Sequence, residues 1–280
     1  MRCFVTIDGK EFSFEVDGDF FWGKDEILYN PTNNAISNTS WEKDGFNIIE
    51  LLNHEEQNNL NTAMTQVICN LLNEFDLEAN PSQFNLERYH QYVTDDIHQK
   101  IIRKTRFLTF KDLNLDIHSI TRRLTNILGT KISGSNPLLD NEIVILRVSR
   151  PHQLDINPPH RDGYLDVWED TLNLWLPIIG CDKNSSLPVI PGSHYWNEKN
   201  IFRTSNKGAS INKLNYHVPA ILETKHGLNM IRPNPNYGQA LIFTPFLIHG
   251  CATNFNEDIT RFSLELRLFH QSSSEKRSHG

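Results

Sequence analysis

The chain has few cysteines, and none has the spacing that is typical of a zinc knuckle or a disulfide framework. Only four occur in 280 residues, at Cys3, Cys69, Cys181 and Cys251. No two of them form a Cys-x-x-Cys pair, so a thiolate metal site and a cysteine-stapled fold are both disfavoured. We expect reduced, mostly packed thiols.

Positive charge and long apolar runs are also scarce. The net charge is −7 and the sequence pI is about 5.9, so no overall basic field attracts nucleic acid or an anionic membrane. No apolar run approaches the roughly 20 residues that span a bilayer, and the stretch after Met1 lacks the features of a signal peptide. We expect a cytoplasmic protein that binds neither nucleic acid nor membranes.

Local patterns predict an α-helical region followed by strands. Asp8-Gly9 lies between two alternating runs and predicts a hairpin. A long helix is expected after Asn53, which has capping-box spacing to Glu56, and another from Asp116 to a stop at Gly129. A further helix is expected over residues 85–93. After residue 137, short strands separated by Gly and Pro turns favour an antiparallel sandwich or barrel.

The segment around His160 and Asp162 contains candidate metal ligands. Side chains two positions apart on an extended strand lie on the same face, so this pair offers two metal ligands from one strand. His249, on a distant strand, would supply a third ligand. Two imidazoles and one carboxylate form the facial triad of non-haem Fe(II) oxygenases. A His-x-Asp pair also occurs by chance, with the two side chains only hydrogen-bonded in a turn.

The last strand alternates between polar and apolar residues. Its apolar positions are Phe262, Leu264, Leu266 and Leu268, and the polar positions between them begin with Arg261 and Ser263. The polar face would turn either to water or to an internal pocket. In a pocket, the planar guanidinium of Arg261 would bind an anionic ligand, with the Ser263 hydroxyl assisting.

These elements, in this order, resemble the phytanoyl-CoA dioxygenase-like family of Fe(II)/2-oxoglutarate oxygenases. The ordered set is more specific than any one of its members and spans roughly residues 44–269. The matching segments are residues 44–49, 160–162, 172–175, 187–194, 249–250 and 261–263.

The resemblance implies a mainly β fold with α additions: a double-stranded β-helix, or jelly roll of the cupin type, with helices packed on one sheet. It places a single oxygenase domain at residues 44–270. The preceding residues 1–43 would form an N-terminal hairpin and loop extension. Residues 271–280 would be a disordered polar tail.

The resemblance also implies cofactors and residue roles. His160, Asp162 and His249 would bind Fe(II), and Arg261 with Ser263 would hold the distal carboxylate of 2-oxoglutarate. Trp175 and Leu146 match further positions beside that co-substrate. With O2, such an enzyme hydroxylates an unactivated C–H bond and releases succinate and CO2. Asp162 speaks against a halogenase, whereas desaturation or cyclisation would use the same ligands.

The substrate is expected to be a small polar metabolite. Arg161, Tyr164, Arg203 and Glu265 are candidates to contact it, although each is also a common type of surface residue. Two alternatives remain: a cupin-type isomerase or hydrolase that uses the same ligands without 2-oxoglutarate, and a non-catalytic binding relative. Neither the carbon attacked nor the oligomeric state is indicated by the sequence.

Overall fold

Three α-helices precede most of the strands, and the first and third have the caps that the sequence predicts. The computed structural model describes residues 1–32, 34–136, 141–205, 208–211 and 214–270. Helix α1 (His54–Asn73) begins with the predicted capping box, in which Asn53 accepts from Glu56 N and Glu56 accepts from Asn53 N. Helix α2 is Asp95–Lys104, and α3 (Ile117–Leu128) ends at Gly129 with a φ of 66°.

Fifteen strands lie in the described part of the chain. In order they are β1 (Arg2–Ile7), β2 (Lys10–Glu15), β3 (Phe20–Trp22), β4 (Phe46–Glu50), β5 (Ile132–Ser133), β6 (Ser135–Asn136), β7 (Asn141–Ser149), β8 (Thr171–Ile179), β9 (Ile201–Thr204), β10 (Ala209–Ile211), β11 (Leu214–Tyr216), β12 (Ile221–Thr224), β13 (Asn229–Met230), β14 (Gln239–Phe243) and β15 (Arg261–His270).

The largest sheet has the order β4-β14-β8-β15-β7-β6, with β5 paired to β15. One face lies under the helices: Leu264 of β15 and Leu174 of β8 share a buried core with Leu60 of α1 and Leu124 of α3. Because strand side chains alternate, the other face of β15 carries the polar series that starts at Arg261. This polar face points into the molecule, and Arg261 itself is 2% exposed.

A second sheet faces the first and is completed by isolated backbone bridges. Ile221 N of β12 donates to Pro159 O at 2.7 Å, and His160 and His249 form an antiparallel bridge. Val189 in turn bridges to both His249 and Ile231. The two sheets form the predicted double-stranded β-helix with helices on one side, so the predicted fold class is confirmed.

The N-terminal strands join the edges of this second sheet. The predicted hairpin is present: β1 and β2 pair around Asp8-Gly9, and β1 also pairs in parallel with β13. β3 pairs with β9 at the other edge. Val5 and Ile7 are buried in one core with Ile248 of the second sheet. The division at residue 43 stays a prediction, and the tail 271–280 lies outside the described residues.

In the part of the chain that the structure describes, no helix has both the length and the apolar character needed to cross a bilayer.

Candidate metal centre

His160, Asp162 and His249 converge at one point. His160 Nε2 lies 3.6 Å from Asp162 Oδ1, and His249 Nε2 lies 3.7 Å from Asp162 Oδ2. One ligand atom from each residue lies within 4.8 Å of the others, and all three residues are buried. The two histidines converge because residues directly paired in an antiparallel bridge project their side chains to the same face, and Asp162 follows His160 at the start of a short 3₁₀ helix, Asp162–Tyr164.

Both imidazoles turn Nε2 toward the shared point. His160 Nδ1 is 2.7 Å from Pro158 O and His249 Nδ1 is 2.9 Å from Leu247 O, so each Nδ1–H donates to a backbone carbonyl. This hydrogen bond fixes the tautomer in which Nε2 has a free lone pair for a metal. Burial comes first among the causes that lower the pKa of His249 to about 4, followed by the charge of His160.

Gly250 allows these strands to approach closely. Its φ is 124°, and a Cβ there would lie 2.3 Å from Pro158 O, the carbonyl that orients His160. Only glycine fits this backbone position without displacing that carbonyl.

Two residues that sequence reasoning missed hold Asp162. Asn173 Nδ2 donates to Asp162 Oδ2 at 2.8 Å. Arg267 donates from Nη2 to Oδ1 at 2.9 Å and from Nε to Oδ2 at 3.4 Å. Burial alone would raise the pKa of the Asp162 carboxyl, but Arg267 and the two histidines outweigh it and hold the pKa well below its ordinary value. Asp162 is therefore a fixed carboxylate.

Arg261 and Ser263 lie on the same polar face of β15. Arg261 Nη1 donates to Ser263 Oγ at 2.7 Å, and Nη2 donates to Ala252 O at 3.0 Å. Arg261 Nε is buried without a hydrogen-bond partner, and no carboxylate among the described residues forms an ion pair with Arg261. A buried guanidinium with spare donors is a receptor for an anion, because its desolvation is otherwise uncompensated.

Trp175 lies on this inner face, whereas Leu146 does not. Trp175 of β8 is fully buried beside Phe243, whose ring packs edge-on against His249 at 4.7 Å. Leu146 pairs with Leu264 and belongs to the helix-side core. The expectation that Leu146 contacts the co-substrate is wrong, since its strand position points the side chain away from the site. Its neighbour Arg147 faces the site instead.

Three of the four candidate substrate residues are joined to Glu198. Arg161 is fully buried and pairs with Glu198, so it is not available to a substrate and that expectation is corrected. Tyr164 OH donates to Glu198 Oε1 and Arg203 Nε donates to Oε2, both at 3.3 Å. Arg203 also stacks over the Tyr164 ring at 4.2 Å. These contacts connect the metal-binding segment to the chain around residue 198.

The fourth candidate, Glu265, does face the site. It lies on β15 between Ser263 and Arg267 and accepts a hydrogen bond of 2.7 Å from Arg147 Nη2. Sequence reasoning did not identify Arg147, because its partner lies on another strand.

A jelly roll that gathers two histidines and one aspartate beside a buried anion receptor defines the class of non-haem metal-dependent oxygenases. A profile of the phytanoyl-CoA dioxygenase (PhyH) family matches residues 41–263, and the chain belongs to this family. The resemblance noted in the sequence is thereby confirmed. The family and the three-ligand group also bear out iron, 2-oxoglutarate and O2 as the expected cofactors.

The comparison with solved structures found proteins of low sequence identity, of which AviO1 shares the fold. AviO1 from Streptomyces viridochromogenes Tue57 is 15% identical with a TM-score of 0.51, covering 83% of this chain and 92% of that one. EctD from S. alaskensis, solved with 2-oxoglutarate and 5-hydroxyectoine, is 16% identical with a TM-score of 0.45, covering 92% and 84%. The epimerase SnoN from nogalamycin biosynthesis is 10% identical with a TM-score of 0.43, covering 82% and 79%. The comparison with curated proteins gave no match.

Proposed function

We propose that this protein is an Fe(II)- and 2-oxoglutarate-dependent dioxygenase that hydroxylates an unactivated C–H bond of a small polar metabolite. His160, Asp162 and His249 are the proposed iron ligands. Arg261 and Ser263 are proposed to bind the distal carboxylate of 2-oxoglutarate, with Trp175 packing beside it. The products from the co-substrate are succinate and CO2. The cytoplasmic location expected from the sequence stays a prediction.

One observation carries the proposal: the buried guanidinium of Arg261 has no carboxylate partner in the described part of the chain. It lies on the inner face of β15, the strand that also carries Arg267, which binds Asp162. Two histidines and a carboxylate alone suit zinc as well as iron. A zinc hydrolase or isomerase has no dicarboxylate co-substrate, so it does not require an anion receptor at Arg261 and Ser263. A dicarboxylate co-substrate needs one, because its distal charge must be paired away from water.

The bound iron would supply O2 activation coupled to oxidative decarboxylation of 2-oxoglutarate. The residues of this chain orient the metal ligands and exclude water from the site. The carbonyls of Pro158 and Leu247 fix the imidazoles, and Arg267 with Asn173 fixes Asp162. Phe243 and Leu241 pack around Trp175 and exclude water from the inner wall.

An anaerobic titration tests this function. Adding Fe(II) and 2-oxoglutarate to the protein is expected to give a weak visible metal-to-ligand absorption band. Adding O2 should then release succinate. A protein that binds zinc and shows neither band nor succinate would be a cupin-type hydrolase or isomerase. Mass analysis of the product separates hydroxylation, which adds an oxygen atom, from desaturation or cyclisation, which removes hydrogen.

A further inference from the structure

Among the described residues, the charged side chains on the inner face of β15 and β7 fall into three groups. Arg267 binds Asp162, and Arg261 has no carboxylate partner among the described residues. The third group is the ion pair of Arg147 and Glu265. The proposed function assigns the first group to the metal and the second to 2-oxoglutarate, and it leaves the third without a role.

The position of the third group suits a substrate. Glu265 is two residues from Ser263 and two from Arg267 on β15, so it lies roughly 7 Å along the strand from each of them. Arg147 is paired directly with Ser263 on the neighbouring strand. A molecule bound to this pair would therefore lie alongside 2-oxoglutarate, which itself would span the distance from the anion receptor to the metal ligands.

Both members of the pair retain unused hydrogen-bonding capacity. Among the residues that the structure describes, Arg147 Nε has no hydrogen-bond partner, and Nη1 reaches only Asn157 Oδ1 at 3.4 Å. Glu265 accepts from Arg147 through Oε2 alone, and no described residue donates to Oε1. The side chains keep 29% and 16% of their surface accessible, so a ligand can reach them.

Stability does not account for this pair. An ion pair in a protected site gains little over apolar residues of similar volume, because both charges lose solvation. Burial raises the pKa of the Glu265 carboxyl, but Arg147 outweighs it and the net pKa is below the ordinary value. The pair therefore presents a full negative and a full positive charge side by side.

We propose that Arg147 and Glu265 recognise a zwitterionic substrate, a free amino acid or a close relative, whose carboxylate binds Arg147 and whose ammonium binds Glu265. This inference rests on the proposed oxygenase function. A second dicarboxylate would be repelled by Glu265, and a simple amine by Arg147. A neutral sugar would leave both charges desolvated without new ionic partners.

A panel of substrates tests the inference on the intact wild-type enzyme loaded with Fe(II). Succinate release is measured with each of the common L- and D-amino acids, with their N-acetyl and C-amide derivatives, and with neutral sugars. At least one free amino acid is expected to stimulate release. Its N-acetyl and C-amide forms should lose about tenfold or more in kcat/KM, because each leaves one buried charge without its partner.

Two variants assign the charges to the two residues. Glu265→Gln should remove the preference for the free amine over the N-acetyl form, and Arg147→Gln the preference for the acid over the amide. Glu265→Asp, which keeps the charge, should retain the preference. Asp96→Asn, which removes a carboxylate from the exposed Asp96–Lys100 pair, is the matched control.

The results distinguish failure of this inference from failure of the proposed oxygenase function. A wild-type enzyme that decarboxylates 2-oxoglutarate but is stimulated only by sugars, or by no free amino acid, overturns this inference and leaves the oxygenase function intact. Variants that keep both preferences also overturn it. A raised half-saturation for 2-oxoglutarate in Arg147→Gln, with unchanged amino-acid selectivity, would assign Arg147 to the co-substrate instead. Absence of any Fe(II)- and 2-oxoglutarate-dependent band contradicts the proposed function itself.

Discussion

Arg267 binds the carboxylate of Asp162 through hydrogen bonds to both of its oxygens. The guanidinium is itself held against the Trp168 ring, 4.6 Å from its centroid. Asp162 thus keeps one orientation before any metal arrives.

Replacing Arg267 should weaken metal binding. Arg267→Gln is expected to lower Fe(II) affinity about 10- to 100-fold, the range found when a residue that orients a metal ligand is removed. Anaerobic titration with Fe(II) or Co(II) measures the change. Arg267→Lys, which keeps the charge but not the two-point contact, should fall in between. Equal affinities in all three proteins would contradict this role.

Replacing Arg261 should affect the co-substrate and spare the metal. Arg261→Gln is expected to raise the dissociation constant for 2-oxoglutarate about 100-fold, because a charge-assisted two-point contact is lost. The anaerobic absorption band, followed against 2-oxoglutarate concentration, gives this constant. Ser263→Ala should cost only about three- to tenfold, as expected for one neutral hydrogen bond. Full 2-oxoglutarate affinity in Arg261→Gln would contradict the assignment of Arg261 to the co-substrate.

Glu198 should matter for stability. It is 1% exposed and neutralises the fully buried Arg161, so Glu198→Gln leaves a buried cation without a partner. We expect a loss of about 3–5 kcal/mol in the free energy of unfolding, measured by urea denaturation. Asp96→Asn, in an exposed pair, should cost less than about 0.5 kcal/mol. Similar losses in the two variants would show that the Glu198 cluster is not a buried ion pair in solution.

The protein should lose stability as the pH falls from about 6.5 toward 4. Burial lowers the pKa of His98 from 6.5 to about 4, so the unfolded chain binds more protons in this window and unfolding is favoured. Neutral His98 accepts from Tyr89 OH at 3.1 Å through Nδ1 and faces Asp155 through Nε2. We expect the free energy of unfolding to fall by about 3 kcal/mol through His98 across this pH window.

Urea denaturation across this pH range checks the role of His98. His98→Gln should make the free energy of unfolding depend less steeply on pH than in the wild type. His118→Gln, which alters an exposed histidine, should keep the wild-type slope. An unchanged slope in His98→Gln would assign the pH dependence to other groups.

Much of the fold could be predicted because its signals are local. The Asn53–Glu56 capping box and the Asp116 and Gly129 boundaries depend on neighbouring residues, and the structure has all of them. The alternation of β15 correctly places Arg261 and Ser263 on the inner face. Residues 85–93 are an exception: the segment is a short 3₁₀ turn at Leu86–Gln91, and the real helix α2 follows it.

The site residues that follow from the alternation of strand side chains were predicted. The residues whose role depends on a partner far away in the sequence were missed. The spacing of His160 and Asp162 put both on one face, but nothing near Asp162 in the sequence points to Arg267. Leu146 was matched to a family position beside the co-substrate, but its side chain lies on the helix-side face, one residue away from the inward-facing Arg147. Arg161 was misjudged because its partner Glu198 lies 37 positions away.

The hairpin of β1 and β2 closes an open flank of the second sheet. Without this hairpin, the edge strand β13 would expose unpaired backbone amides and carbonyls, which can pair with a strand of another molecule. The outermost strand is β2, which has exposed charged residues at its start, Lys10 and Glu11, and at its end, Glu15. Charged side chains on an edge strand disfavour pairing with a strand of another molecule. Residues 1–15 therefore also disfavour self-association through this edge of the second sheet.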